Sequence, residues 1–194
     1  MGHPAEARRL ACYADLEAAP PGQLAELVGG QLYLFPRPAP RHAFAAGQVH
    51  LKIGGPFGID GRPGGWWILP EPEIRFANPG TVDGFDVASP DLAGWRRERV
   101  PDLPETAYWE IAPDWVCEVL SPSTKQHDRT VKMPLYASAG VSHAWLVDPI
   151  ARTLEAYALG RDRHWKAPAI YREKVRVRAE PFEAIEFPLD RLWV

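Results

Sequence analysis

One acid stands in the apolar run Trp115-Val116-Cys117-Glu118-Val119-Leu120, which Pro113 and Pro122 bound. On a strand, Trp115, Cys117 and Val119 share one face, and Val116, Glu118 and Leu120 share the other. The Glu118 carboxylate therefore falls in a core or at its rim. A buried charge is expensive unless it is paired, protonated or bound to a metal. On an edge strand it would simply be solvated. A second acid, Asp91, follows Pro90 where another extended piece begins; alone, it would read as a turn cap. Together the two suit a hard cation. Mg²⁺ takes one or two carboxylates, a backbone carbonyl and several waters, and the Val119 carbonyl is placed in sequence to supply the neutral oxygen. Lys132, on the helix expected after the Glu118 strand, is the candidate ammonium. It would steady charge on a phosphate or help activate water. Lys125 in the preceding loop is its rival, and a solvated helix lysine is the plain alternative for either.

The elements that must position these groups alternate along the chain. Residues 9–28 read as a short helical preamble, with Leu24, Leu27 and Val28 at helical spacing and Gly29-Gly30 as its stop. Gln31–Phe35 reads as a strand. Residues 41–53 read as a helix closed by Gly54-Gly55. Trp66–Leu69, Glu73–Phe76 and Pro90–Trp95 read as extended, with Gly80–Ser89 as a turn-rich insertion and 96–104 as a charged excursion. The strand of Glu118 leads to a helix over 128–139, in which Pro134 demands a late start or a kink. Val141–Val147 and Thr153–Leu159 pair about an Asp148-Pro149 turn, and the tail 161–194 holds further strands. The fold class is α/β or α+β: a central mixed sheet flanked by helices.

Length and composition permit this and exclude much else. The chain has 194 residues, 46% of them apolar, which fits one domain spanning 1–194, with 1–30 as preamble and 31–160 as core. A net charge of -3 excludes a generally basic nucleic-acid coat. Two cysteines, Cys12 and Cys117, are too few for a disulfide scaffold or a cysteine-built zinc site. No run is long and apolar enough for a membrane span, and residues 1–18 lack the apolar centre of a signal peptide. The expectation is a soluble cytoplasmic protein. Ser121 and His127 lack the glycine pattern of a nucleophile elbow, and His42 and His50 alone do not make a metal site. Basic residues gather at 96–99, at 125–132 and at 172–178. The last group reads as a solvated strand face; around a carboxylate cleft, such patches would track a phosphate backbone.

The order Pro90-Asp91, then Glu118-Val119-Leu120-Ser121-Pro122-Ser123-Thr124, then Asp128, Lys132 and Tyr136, then Ala139-Gly140-Val141 and Trp145-Leu146-Val147-Asp148-Pro149 resembles the Uma-type family. That family is a restriction-endonuclease-like branch of the PD-(D/E)xK nuclease superfamily. The resemblance runs from Gly29 to Pro149 and is most specific over 114–149. It implies a restriction-endonuclease-like sheet, a metal held by Asp91 and Glu118, and catalysis by those two acids with Lys132. Glu73, Lys125 and Tyr136 are further residues expected to line the site. Two departures stand out. Leu120 occupies the place of the superfamily's strand lysine, which moves the cation to Lys132, and residues 41–53 offer no helix acid. The expected activity is Mg²⁺- or Mn²⁺-dependent hydrolysis of DNA phosphodiester bonds. The expected partners are DNA and a second copy of the chain, met through an exposed hairpin at 143–159. The alternatives are a nuclease-fold binding or scaffold protein without turnover, and a metal-independent hydrolase that uses the carboxylate pair on a sugar.

Overall fold

The computed structural model describes residues 9–58 and 64–194. The first eight residues of the expected preamble lie outside that range. After α1 (Tyr13–Glu17), the chain departs from the expected helix: Gln23–Val28 is strand β1, paired antiparallel with β2 (Gln31–Pro36). Gly29 and Gly30 have φ of 59° and 71°, so they form the two-residue hairpin turn and not a helix stop. The spacing of Leu24, Leu27 and Val28 fits either period over so short a run, and pairing decides it. The buried Asp86 carboxylate accepts the Gly29 N–H (2.7 Å) and Asn78 Nδ2 (2.8 Å), which anchors the hairpin tip.

Helix α2 (Pro40–Phe57) starts with Pro40 in its first turn and runs past Gly54-Gly55 to Phe57. Its face of Ala45, Val49, Ile53 and Phe57 is buried. Strands β3 (Trp66–Pro70) and β4 (Ile74–Ala77) follow. The stretch expected as an insertion contains β5 (Phe85–Ala88), which pairs with β4 and touches β1 at Leu27↔Val87. It joins a four-stranded antiparallel sheet, β2-β1-β5-β4.

The large sheet is six-stranded. With β6 (Leu92–Arg96), β7 (Trp115–Val119), β8 (His143–Asp148), β9 (Thr153–Ala158) and β10 (Ala169–Arg172), its order is β10-β9-β8-β7-β6-β3. Only β7 and β8 are parallel. The parallel pair requires a crossover, supplied by α3 (Lys125–His127), a π-helical turn (Asp128–Lys132) and α4 (Met133–Ser138). Pro134 falls at the start of α4, where its missing N–H costs least. The strands of the hairpin expected to offer a free surface have no free edge, because β8 lies between β7 and β9 and β10 pairs with β9, while its turn at 150–152 is exposed.

The two faces of β7 divide as the alternation predicts. Trp115, Cys117 and Val119 pack with α2 and with the tail, where Phe182, Phe187, Leu189 and Leu192 are buried. Val116 and Leu120 pack with Tyr136 and Leu146 on the α4 side, the side of Glu118. Trp115, Trp145, Trp66 and Phe57 all surround the ring of Phe182 at centroid distances of 4.7–5.6 Å. The tail thus completes the core, through short elements β11 (Arg176–Val177) and β12 (Phe187–Pro188). No helix among the described residues is long and apolar enough to cross a membrane.

Candidate active site

The antiparallel pairing of β6 with β7 sets Leu92 opposite Cys117. The start of β6 therefore lies at the end of β7, and Asp91 comes to Glu118 across 27 positions of chain. Asp91 Oδ2 accepts the Val119 N–H at 2.7 Å and has His42 Nε2 at 3.3 Å. The crossover helix packs back over the end of β7. Lys132 Nζ reaches Glu118 Oε1 at 2.8 Å, and the Tyr136 hydroxyl donates to the same oxygen at 2.5 Å. Asp91, Glu118 and Lys132 line one cavity of about 370 Å³ between the β1–β2 hairpin and the 121–124 turn.

Lys132 has a second carboxylate that the sequence reading passed over. Glu26 on β1 lies 3.0 Å from the ammonium, and its other oxygen meets His127 Nε2 at 2.8 Å. Its Oε1 also accepts the Ser89 N–H at 3.1 Å. The signal was the one that exposed Glu118: an acid within an apolar run, here Leu24-Ala25-Glu26-Leu27-Val28. Read as a helix, that run has no buried strand face, and the acid passes unnoticed. His42 was set aside as one of two isolated histidines, and α2 nevertheless brings it to Asp91. A histidine on α2 and a glutamate on the hairpin thus stand beside Asp91 and Lys132.

Electrostatics follow burial. Loss of solvent pushes the Glu118 carboxyl well above its ordinary value against the pull of Lys132. Burial alone would depress Lys132, but Glu118 and then Glu26 raise it well above the usual lysine range. Despite burial, Glu26 is held low by Lys132 and by the His127 hydrogen bond, and it gives the ammonium a second carboxylate partner beside Glu118. Burial raises the Tyr136 hydroxyl, and Glu118 raises it further, so that it stays a proton donor. Burial also raises Asp128, which lines the cavity 4.0 Å from Lys132. Burial opposes charge on His42, but the hydrogen bond and charge of Asp91 outweigh it, and its pKa is raised.

Other expected residues are placed elsewhere. Glu73 accepts the Tyr13 hydroxyl (3.1 Å) and pairs with Arg75 at 3.3 Å, holding α1 beside β4 and not lining this cavity. Lys125 donates to Asp148 at 2.8 Å, outside the cavity lining. Of the 125–132 cluster, Arg129 is taken by Glu155. Arg96 and Arg97 stack on Trp66 and Trp67 at the far end of β6 from Asp91. Arg176 and Arg178 pair with Glu186. The Ser121 hydroxyl bonds Ser123 and Thr124 within its turn.

A mixed sheet crossed by a helix, with buried acids and a lysine at one sheet end, is the architecture of a nuclease-like fold. The family of putative restriction endonucleases termed Uma2 matches residues 10–190, and the chain belongs to that family. Among solved structures, the fold is similar to that of a putative nuclease belonging to DUF820 from Anabaena variabilis. The TM-score is 0.65 at 19% sequence identity, over 87% of this chain and 89% of that one. No curated protein matches the chain.

Proposed function

We propose that the protein is a divalent-metal-dependent endonuclease that hydrolyses phosphodiester bonds in DNA. The observation that carries the reading is the convergence of Asp91, Glu118 and Lys132, distant in sequence, on one cavity. The donor chemistry fits Mg²⁺ or Mn²⁺. Each acid ties one oxygen to the protein, Asp91 through Oδ2 and Glu118 through Oε1. No hydrogen bond to Asp91 Oδ1 or Glu118 Oε2 is present among the described residues. Those residues contain no group of three or more His, Cys, Asp or Glu side chains able to hold a metal. The ion would therefore rest on Asp91, Glu118 and the Val119 carbonyl, with water completing its shell, as hard cations accept.

When bound, the ion supplies Lewis acidity and lowers the pKa of water. The chain's own groups do the rest. Val119 N–H and His42 orient Asp91, while Tyr136 and Lys132 orient Glu118. The Lys132 ammonium, fixed by two carboxylates, offsets charge developing on the phosphate or polarises the attacking water. Glu26 keeps it in place. The proposal includes action in the cytoplasm and assembly as a homodimer.

The test is cleavage of DNA, supplied both as a single-stranded oligonucleotide and as a plasmid, in Mg²⁺, Mn²⁺ and EDTA. Asp91→Asn and Glu118→Gln should each lose activity on the order of a hundredfold or more. Equal cutting in EDTA overturns the mechanism. A second reading, a nuclease-fold binding protein without turnover, is favoured by the closed Glu26–Lys132–Glu118 ion pairs and by Leu120 in place of a strand lysine. Titration with Mn²⁺ separates the two: the enzyme has a site that Asp91→Asn abolishes, and the scaffold has none.

A further inference from the structure

We propose that the site takes unpaired DNA, admitting a nucleotide of a single strand into the cavity, and that it does not act on an intact duplex. The inference rests on the nuclease reading above and names the form of its substrate.

Depth is the first argument. The side chains of Glu118, Lys132 and Glu26 are only 3%, 5% and 7% exposed, and that of Asp91 only 15%. A scissile phosphate must come within reach of Lys132 and of an ion held by Asp91 and Glu118. Duplex phosphates lie on the outside of a rod far wider than a cavity of about 370 Å³, a volume at the low end for one small organic molecule. A flexible strand can enter where a rod cannot.

The walls are the second. Leu24, Phe35 and Pro36 of the hairpin and Pro38 and Pro122 beside it line the cavity with apolar surface. The Phe35 ring is half-buried and braced against His127, 4.7 Å between centroids. A preset aromatic face beside a catalytic floor suits a base that has left its stack. A base within a duplex offers no such face.

Charge is the third. Five carboxylates line the cavity, against Arg37 and Lys132 as its only arginine and lysine among the described residues. Duplex binding draws its affinity from many phosphate contacts. Of the basic clusters, Arg96 and Arg97 stack on Trp66 and Trp67, Arg129 pairs with Glu155, Arg176 and Arg178 pair with Glu186, and none of these lines the cavity. One strand held by stacking needs few.

The experiment measures binding of a fluorescein-labelled oligonucleotide, alone and annealed blunt to its complement, by anisotropy in EDTA. The single strand should bind about tenfold tighter or more. Phe35→Ala should weaken single-strand binding severalfold while leaving the thermal melt cooperative, and Arg37→Gln, a change at an exposed position, should weaken it too. Equal or tighter binding of the duplex, binding of neither form, or indifference to both variants overturns the proposal. Cleavage of the same two DNAs in Mn²⁺ tests the parent reading separately. Cutting of the strand with sparing of the duplex supports both. Equal cutting of both overturns the single-strand inference and leaves a nuclease. Cutting of neither overturns the nuclease reading, and the binding arm still decides which form the cavity takes.

Discussion

Lys132 is held between two acids from different sheets, Glu26 at 3.0 Å and Glu118 at 2.8 Å. Removing one member of a buried ionic group leaves an uncompensated charge and costs several kcal/mol. Lys132→Met is expected to lower unfolding stability by about 3–5 kcal/mol in urea denaturation. Because Glu26 and Lys132 share one contact, the double variant Glu26→Gln with Lys132→Met should cost less than the sum of the singles. Additive losses would mean that the pair is not coupled. Tyr136→Phe strips a donor from a buried carboxylate and should cost about 1–3 kcal/mol by the same measurement. An unchanged urea midpoint would show that the 2.5 Å bond contributes nothing.

The β8–β9 turn and the crossover helix show how elements serve the site. Asp148 Oδ1 accepts the N–H groups of Ile150 (3.0 Å) and Ala151 (2.8 Å), and Oδ2 accepts Lys125. Burial works against this carboxylate, but those hydrogen bonds and the lysine hold its pKa below the ordinary value. A depressed carboxyl contributes stability above its unfolded pKa of about 3.9, and that stability is lost as pH falls through the folded value. Asp148→Asn should therefore melt below the parent protein at neutral pH. The gap should close progressively as pH falls below about 4. A gap that persists at the acid end would assign the effect to packing. In the crossover, the π-helical turn buries both Asp128 and Lys132 and sets Pro134 at the start of α4. The proline flagged in the sequence thus marks the seam that turns the lysine inward.

Across the molecule, the tail closes one face of the large sheet. Phe182 is 1% exposed amid Phe57, Trp66, Trp115 and Trp145. Phe182→Ala should cost about 3–5 kcal/mol. Although the Asp91 and Glu118 side chains lie beyond this cluster, the loss should also weaken Mn²⁺ binding, because Trp115 and Val119 set the strand that carries Glu118. Mn²⁺ titration beside urea denaturation checks both effects, and full stability in the variant would show that the tail is dispensable.

Local chemistry along the chain determined the Glu118 strand, its two faces, the crossover helix, the turn at Asp148 and the acids with their lysine. Each of these depends on alternation, proline position or helix spacing within a few residues, which a sequence carries locally. The residue types suggested that Asp91 and Glu118 together suit a hard cation, and the family resemblance implied that they form one metal site. Only the tertiary structure decided that residues 23–28 form a strand, that Glu26 and His42 join the site, and that Glu73 and Lys125 do not. Those outcomes turn on pairing across dozens of residues. A five-residue apolar run with one acid satisfies helix and strand equally until a partner strand satisfies its backbone.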